Sequence, residues 1–279
     1  MRGEAKIIEE KDAILGLKSL VDVYEEMAAI RMQRVRGAVL TSRQFLAEIT
    51  EVFGRVRAAY KGEKVAGGWA KNGKTVAVFI SANAGLFGDI VDRIFEKFAE
   101  YVSQNKPEVV VVGKLGVKML AERGLSVLYN YFDFSDEVVE EENFALIMRY
   151  LMQFERIVVF YGKFKSILNQ ETEVTSLSGE EVGKRSAGVE MVETEKYLFE
   201  PSPVEMARIF EGEILASVFE QTLYESQLAK FASRMLSLDR AVENVDKRIG
   251  QINQQQRRLK HKVANSRQLA RLSGMALWR

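Results

Sequence analysis

Between Asp12 and Tyr60 the apolar positions step alternately by four and three: Leu17, Val21, Tyr24, Ala28, Arg31, Val35, Ala38, Ser42, Phe45, Ile49, Val52, Val56 and Ala59. Only Arg31 and Ser42 interrupt the stripe. A pattern kept over more than three heptads predicts one long helix with a coiled-coil seam. The Gly- and Lys-rich stretch GRVRAAYKGEKVAGGWAKNGK ends it as a loop. The same steps return at Met235, Leu238, Val242, Val245, Ile249, Ile252, Gln256, Leu259, Val263, Ser266, Ala270 and Ser273. No proline follows Pro203, so a helix from about Ser217 to near the terminus would be on the order of 90 Å long at the α-helical rise. The second seam weakens where Ser266 and Ser273 stand, so the last turns call for a partner other than the N-terminal helix.

Between the stripes the period changes. TVAVFISA (75–82), EVVVVG (108–113), RIVVFYG (156–162) and ETEVTSLS (171–178) are short β-branched runs that read as strands. GDIVDRIFEKFAEYVSQ, GVKMLAERG and DEVVEEENFALIMRYLMQF between them read as helices. Alternating strands and helices predict an α/β layer with a largely parallel, Rossmann-like sheet. The expected architecture is an antiparallel coiled coil of long N- and C-terminal helices with this α/β domain inserted. The divisions are a helix over 1–60, a linker over 61–73, the α/β domain over 74–202 and the second helix over 203–279.

Composition removes much enzyme chemistry. The chain has no cysteine and one histidine, His261, which excludes thiolate nucleophiles, disulfides, histidine triads and multi-histidine metal sites. The start MRGEAKIIEEKDA is no signal peptide, and no apolar run reaches membrane-span length, so a cytoplasmic protein is expected. SANAGLFGDI (81–90) sits where α/β proteins bind phosphate, yet it makes neither G-x-G-x-x-G nor a P-loop and reads as a tight strand-to-helix turn. The acidic run DEVVEEEN (136–143) reads as a helix start favoured by the macrodipole. No cofactor and no metal are expected.

One feature stands out against a formal net charge of +1: from Lys247 to Arg279 there are nine Lys or Arg residues and no acid. Nucleic-acid binding is one reading, although the segment carries an apolar stripe and a single aromatic, Trp278. Favourable interaction with the macrodipole explains only the last turn. A cationic helix held inside an acidic protein partner is a third reading. The pattern alone leaves the first and third open.

YLFEPSPVEMARIFEGEILASVFEQTLYESQLAKFASRMLSLDRAVENVDKRI (197–249) resembles a Y-L-Y-E-P-x-P block followed by an E-x-x-A-R-M-x-A-M-x-x-A-x-x-N block. Tyr197, Glu200, Pro201, Pro203, Ser233, Arg234, Met235, Ala241 and Asn244 sit at the matching positions, and the alignment runs without a gap to Ser273 and Gly274. MAAIRMQRVRGAVLTSR (27–43) is similar to M-V-A-A-S-K-M-R-x-x-Q-x-x-x-x-x-S-R, and Ser81, Gly85, Leu86 and Gly88 resemble an S-D-R-G-L-C-G-G loop. In this order the blocks identify a resemblance, over nearly the whole chain, to the gamma subunits of F-type rotary ATP synthases. The chain departs from the family at Asp22, Glu25 and Glu26, at Arg267 where the family has an acid, and at Gly88-Asp89 in place of Gly-Gly. These departures leave open a divergent member or an alternative rotary ATPase.

The resemblance implies a non-catalytic rotor of the F1 sector with no active site of its own. Its partners would be the alpha and beta subunits, the small epsilon subunit and the membrane c-ring, with no nucleic acid, peripheral on the cytoplasmic face of the cell membrane. The α/β domain would bind the proton- or sodium-driven ring. By position and charge, Arg257, Arg258, Lys260 and Lys262 are the expected contacts to the alpha-beta sleeve. Leu17, Val21, Tyr24, Ala28, Val35, Met235, Leu238, Val242, Val245, Ile249, Ile252, Leu259 and Val263 are the expected seam. A coiled-coil nucleic-acid adaptor and an α/β nucleotide-binding enzyme with helical arms are the alternatives.

Overall fold

A computed structural model describes residues 2–59, 72–178 and 203–276. Most of the expected linker, the segment 179–202 with Tyr197, Glu200 and Pro201, and Trp278 lie outside the described residues. The elements are α1 (Arg2–Ala59), β1 (Thr75–Ile80), α2 (Ile90–Asn105), β2 (Glu108–Val112), α3 (Lys114–Glu122), β3 (Tyr129–Phe132), α4 (Glu141–Leu151), β4 (Arg156–Phe164), β5 (Gln170–Ser178) and α5 (Pro203–Ala276). The chain divides into two compact units, one of residues 1–28 with 235–279 and one of residues 29–234.

In the larger unit the sheet has the order β3-β2-β1-β4-β5. All neighbours are parallel except β4 and β5, which are antiparallel. β1 is central and buried on both faces, which is why it reads as an unbroken apolar run rather than an alternating one. Val76, Val78 and Ile80 point into one core with Ile147 and Leu151 of α4 and with Ile214, Leu215, Val218 and Phe219 of α5. Ala77 and Phe79 point into the other, with Ile90, Ile94 and Phe98 of α2 and with Val35, Val39, Leu228 and Phe231. The α5 segment from Ile214 to Arg234 is thus almost wholly shielded, and it comes close to β4 where small residues meet: a Cβ on Gly162 would lie 3.2 Å from that of Ala229. Arg43 of α1 donates to Glu225 Oε1 of α5 from Nη2 at 2.8 Å.

Three expectations change here. β3 (YNYF) was not among the expected strands, because it is a four-residue edge strand with a central Asn and offers little periodicity to detect. α4 begins at Glu141, so Asp136 and Glu137 precede the helix and are free for other work. The portions 29–59 of α1 and 203–234 of α5 pack in the unit that holds the sheet.

In the smaller unit the two helices are tied by Lys18 Nζ to Asp246 Oδ1 at 2.5 Å and by Arg248 Nη2 to Glu10 Oε1 at 2.7 Å, in opposite chain order. The Asp246 hydrogen bond raises the Lys18 pKa from its ordinary value. On α1 the shielded row runs Ile7, Lys11, Ile14, Lys18, Val21, Glu25 and Ala28. Val21 and Ala28 belong to the expected seam, but Leu17 is 50% and Tyr24 46% exposed. Two rows with alternating steps can share every seventh position and differ by one residue at the others. Leu17 and Tyr24 are the apolar neighbours at the ambiguous steps, whereas the helix turns Lys18 and Glu25 inward, where their aliphatic stems cover the seam and the Lys18 ammonium reaches Asp246. In the larger unit the same row continues through Met32, Val35, Val39 and Ser42. On α5, Met235, Leu238, Val242, Val245, Ile249, Ile252, Gln256 and Leu259 are all shielded. Val263, also expected in the seam, is 38% exposed, because every residue from Lys260 to Ser273 is exposed.

Candidate functional site

The crevice at the carboxyl ends of parallel strands is where α/β proteins hold nucleotides. Here Lys230 and its partners occupy the part beside β1 and β2, next to an open hollow of about 370 Å³ lined by Arg31, Asn83, Asp136, Glu137 and Arg234. The loop after β1 is pinned to the β2–α3 turn: Ser81 Oγ donates to Val112 O at 2.6 Å and accepts from Gly116 N at 2.9 Å. Gly113, at φ +94°, passes so close that a Cβ would lie 2.7 Å from Ala82 O. Lys230 of α5 then enters the crevice, donating to Ser81 O at 2.8 Å and Asp136 Oδ1 at 2.9 Å. The space left among Ile80, Ser81, Val112, Asp136 and Lys230, about 10 Å³, holds at most one water molecule.

The acidic run contributes to this site. Asp136 Oδ2 accepts from the backbone N–H groups of Asn83 and Ala84, each at 2.9 Å. Asn83 Nδ2 donates to Asp133 Oδ1 and to Phe134 O, both at 2.7 Å. One turn along α5, Arg234 Nη2 donates to Gly85 O at 2.7 Å, and its guanidinium lies 3.8 Å from the centre of the Phe87 ring. Leu86 in this loop adopts φ +66°, a conformation that hydrogen bonds from Arg234 to its own and the preceding carbonyl help to hold. Arg31 of α1 completes the cluster with an ion pair to Glu137 at 2.6 Å.

None of Arg31, Asp136, Glu137 and Lys230 was a predicted site residue. Weak signals were present: Arg31 breaks an apolar stripe, and Lys230 stands at the acid of the E-x-x-A-R-M block that Ser233, Arg234 and Met235 complete. Their partners lie too far along the chain to be paired by inspection.

The predicted contact residues lie in the other unit. Arg257, Arg258, Lys260 and Lys262 are all exposed on α5, at spacings that distribute them around the helix rather than along one stripe. They form no ion pair among the described residues. From Lys247 to Ser273 the helix carries Lys and Arg but no acid, and it is covered on its apolar side as far as Leu259 and exposed from Lys260 to Ser273. No described helix is long and apolar enough to cross a membrane, and no described cluster of His, Asp or Glu is arranged for a metal ion.

A family model described as ATP synthase matches residues 12–263. Among curated relatives, an ATP synthase gamma chain of Chlorobium phaeobacteroides is 25% identical over 264 residues, covering 86% of this chain and 87% of the relative. One from Pelotomaculum thermopropionicum is 23% identical over 250 residues with the same coverage. Among solved structures, the central stalk and c-ring of the Tetrahymena thermophila mitochondrial ATP synthase contain a similar chain, with TM-score 0.59 and 18% identity over 80% of this chain and 99% of that one. A chain of the Euglena gracilis mitochondrial ATP synthase gives TM-score 0.54 at 14% identity, covering 94% of both. At these identities the structural likeness speaks for the fold.

Proposed function

The chain belongs to the ATP synthase gamma-subunit family, as the rotor of the central stalk, and from that premise we propose how its surfaces meet the rest of the motor. The distal part of α5 turns inside an alpha-beta hexamer, with Arg257, Arg258, Lys260 and Lys262 facing acidic loops of that sleeve. The observation that carries this is the bare segment from Lys260 to Ser273, helical throughout yet exposed at every residue. A lone helical end of this kind gains little from its own chain and is stabilised by a surrounding partner. Cationic contacts suit a turning shaft because they are long-ranged and weakly directional, so one acidic loop can replace another as the angle changes. The angle of the shaft then biases each surrounding catalytic site toward a different conformation.

In this reading the subunit supplies no nucleotide chemistry of its own; Lys230, bonded to Ser81 O and Asp136 Oδ1, serves to hold α5 in the crevice. The α/β unit meets the small epsilon subunit and the ion-driven membrane ring, which places the protein peripherally at the cytoplasmic face of the cell membrane as part of a proton-transporting ATP synthase. The seam, apolar on α5 and mixed apolar and charged on α1, holds the pair together against twisting.

Co-expression tests the assembly. Alpha and beta subunits are expected to copurify with this chain as a three-three-one complex with ATPase activity. Failure to copurify, together with salt-sensitive DNA binding by the isolated chain, would favour the nucleic-acid adaptor instead.

A further inference from the structure

Asp136 and Glu137 are adjacent, and each carboxylate meets a different long helix. Asp136 Oδ1 accepts from Lys230 Nζ of α5 at 2.9 Å, and Glu137 Oε1 lies 2.6 Å from Arg31 Nη2 of α1. We infer that this dipeptide is a two-armed clamp that fixes both rotor helices to the sheet, so that turning force on the α/β unit reaches both helices together. The inference rests on the rotor reading and gives that reading its joint.

The connections to the sheet are continuous. Ser81 and Ala82 leave the central strand, and Gly113 leaves its neighbour β2. Ser81 N donates to Val112 O, and Gly113 N donates to Phe132 O of β3. Asn83 joins this loop to Asp133 and Phe134, and Gln227 Nε2 of α5 donates to Ser135 O at 3.2 Å. The segment from Asp133 to Glu140, which belongs to no helix or strand, is thereby held on one side by the sheet and on the other by α5. Its two carboxylates then face the two helices.

Apolar packing alone would hold α1 and α5 against the sheet, but it is non-directional and resists separation better than rotation about a helix axis. Charge-assisted hydrogen bonds fix an angle. A buried ion pair is often no more stabilising than an apolar pair of the same volume, so folding alone gives little reason to bury Lys230 and Asp136 here. The neighbouring contacts reinforce the same helix: Arg234 grips the carbonyls of Gly85 and Leu86, and Lys230 also lies 5.6 Å from the Phe87 ring. Both clamped helices run unbroken past their clamped residues, α1 from Arg2 and α5 to Ala276.

The test uses the complete complex of this chain with its alpha, beta and membrane-sector subunits in sealed vesicles, comparing ATP hydrolysis with ATP-driven ion uptake. In the double variant Lys230→Met with Arg31→Gln, hydrolysis is expected to continue while the ions moved per ATP fall clearly below the parent's ratio. The loss should be largest against an established ion gradient. Arg31→Glu alone should also lower the ratio, and the exchange Arg31→Glu with Glu137→Arg should restore it. An unchanged ratio in the double variant overturns the clamp and leaves the rotor reading intact; a parent complex that assembles but never links uptake to hydrolysis sinks the rotor reading itself. Should Lys230→Met fail to assemble, the partly exposed Arg31–Glu137 pair decides alone: loss in Arg31→Glu with recovery on exchange supports the clamp, and no loss overturns it.

Discussion

The ammonium of Lys230 lies 2.9 Å from the carboxylate of Asp136, and the two side chains are only 5% and 11% exposed. The two partners are not equivalent when one is removed. Asp136→Asn removes the charge that offsets the buried ammonium and leaves one side-chain oxygen for the three donors Lys230 Nζ, Asn83 N and Ala84 N, and is expected to cost about 3–5 kcal/mol of stability. Lys230→Met leaves Asp136 still accepting from Asn83 N and Ala84 N, and should cost less, about 1–3 kcal/mol. The double substitution should cost less than the sum. Urea unfolding of the four proteins measures this cycle, and equal single costs that simply add would show that the pair is not a desolvated unit.

The glycines of α3 and of the long helices should respond in opposite directions to the same substitution. A Cβ at Gly116 would lie 2.6 Å from Ser81 Oγ and 2.7 Å from Val111 Cγ1, within a turn that anchors the crevice. Gly116→Ala is therefore expected to destabilise by about 1–3 kcal/mol through overpacking, despite the better helix propensity of alanine. Gly37 and Gly250 have nothing within 4 Å of their Cβ positions. Gly37→Ala and Gly250→Ala should each stabilise by up to about 1 kcal/mol, visible as higher thermal midpoints.

Glu220 supplies a pH dependence. Burial raises its pKa, with a further push from Glu213 and an opposing hydrogen bond from Tyr224. The folded protein therefore keeps a proton that the unfolded chain has lost. The stability linked to that proton is fully present below the unfolded carboxyl value, near about pH 4, and is lost as pH rises through the raised folded value. Glu220→Gln removes the ionisation, so it should raise the thermal midpoint near about pH 7 and leave it nearly unchanged near about pH 4. A midpoint unchanged at neutral pH would mean that water reaches the carboxylate freely.

Periodicity made the two long helices legible, but only part of their inward faces. On α5 the apolar positions of the stripe fall on the shielded row as far as Leu259. On α1 Lys18 and Glu25 are turned inward beside exposed Leu17 and Tyr24, and a rule that seeks apolar residues cannot find a seam lined by stems of charged ones. β1, β2 and β4 were readable from β-branched runs because they are buried along most of their length, and half-buried β5 from its Val and Thr residues. β3 was not, since its side chains are largely exposed and its pairing with β2 is made by backbone. The crevice cluster was hidden for another reason. Lys230 and Asp136 are 94 positions apart, and the local setting of Asp136, in an acidic run before a helix, suggested a solvated helix start. Only the fold brings Arg31 and Lys230 to the same dipeptide.

The bare end of α5 carries the last prediction. Seam residues up to Leu259 are shielded, and every residue from Lys260 to Ser273 is exposed. Nucleation is costly and isolated helical segments are marginal, so amides beyond Lys260 should exchange with solvent much faster in the isolated chain than those between Leu238 and Ile252. Binding to an alpha-beta hexamer should slow exchange specifically beyond Lys260, because the sleeve supplies the missing face. Replacing Arg257, Arg258, Lys260 and Lys262 together by Gln should weaken that protection and flatten the salt dependence of assembly, while leaving exchange between Leu238 and Ile252 untouched. Hydrogen exchange of the free and assembled protein at two ionic strengths reads all three effects. Protection that spreads evenly along α5, or that ignores the four cations, would place the sleeve contact elsewhere on the chain.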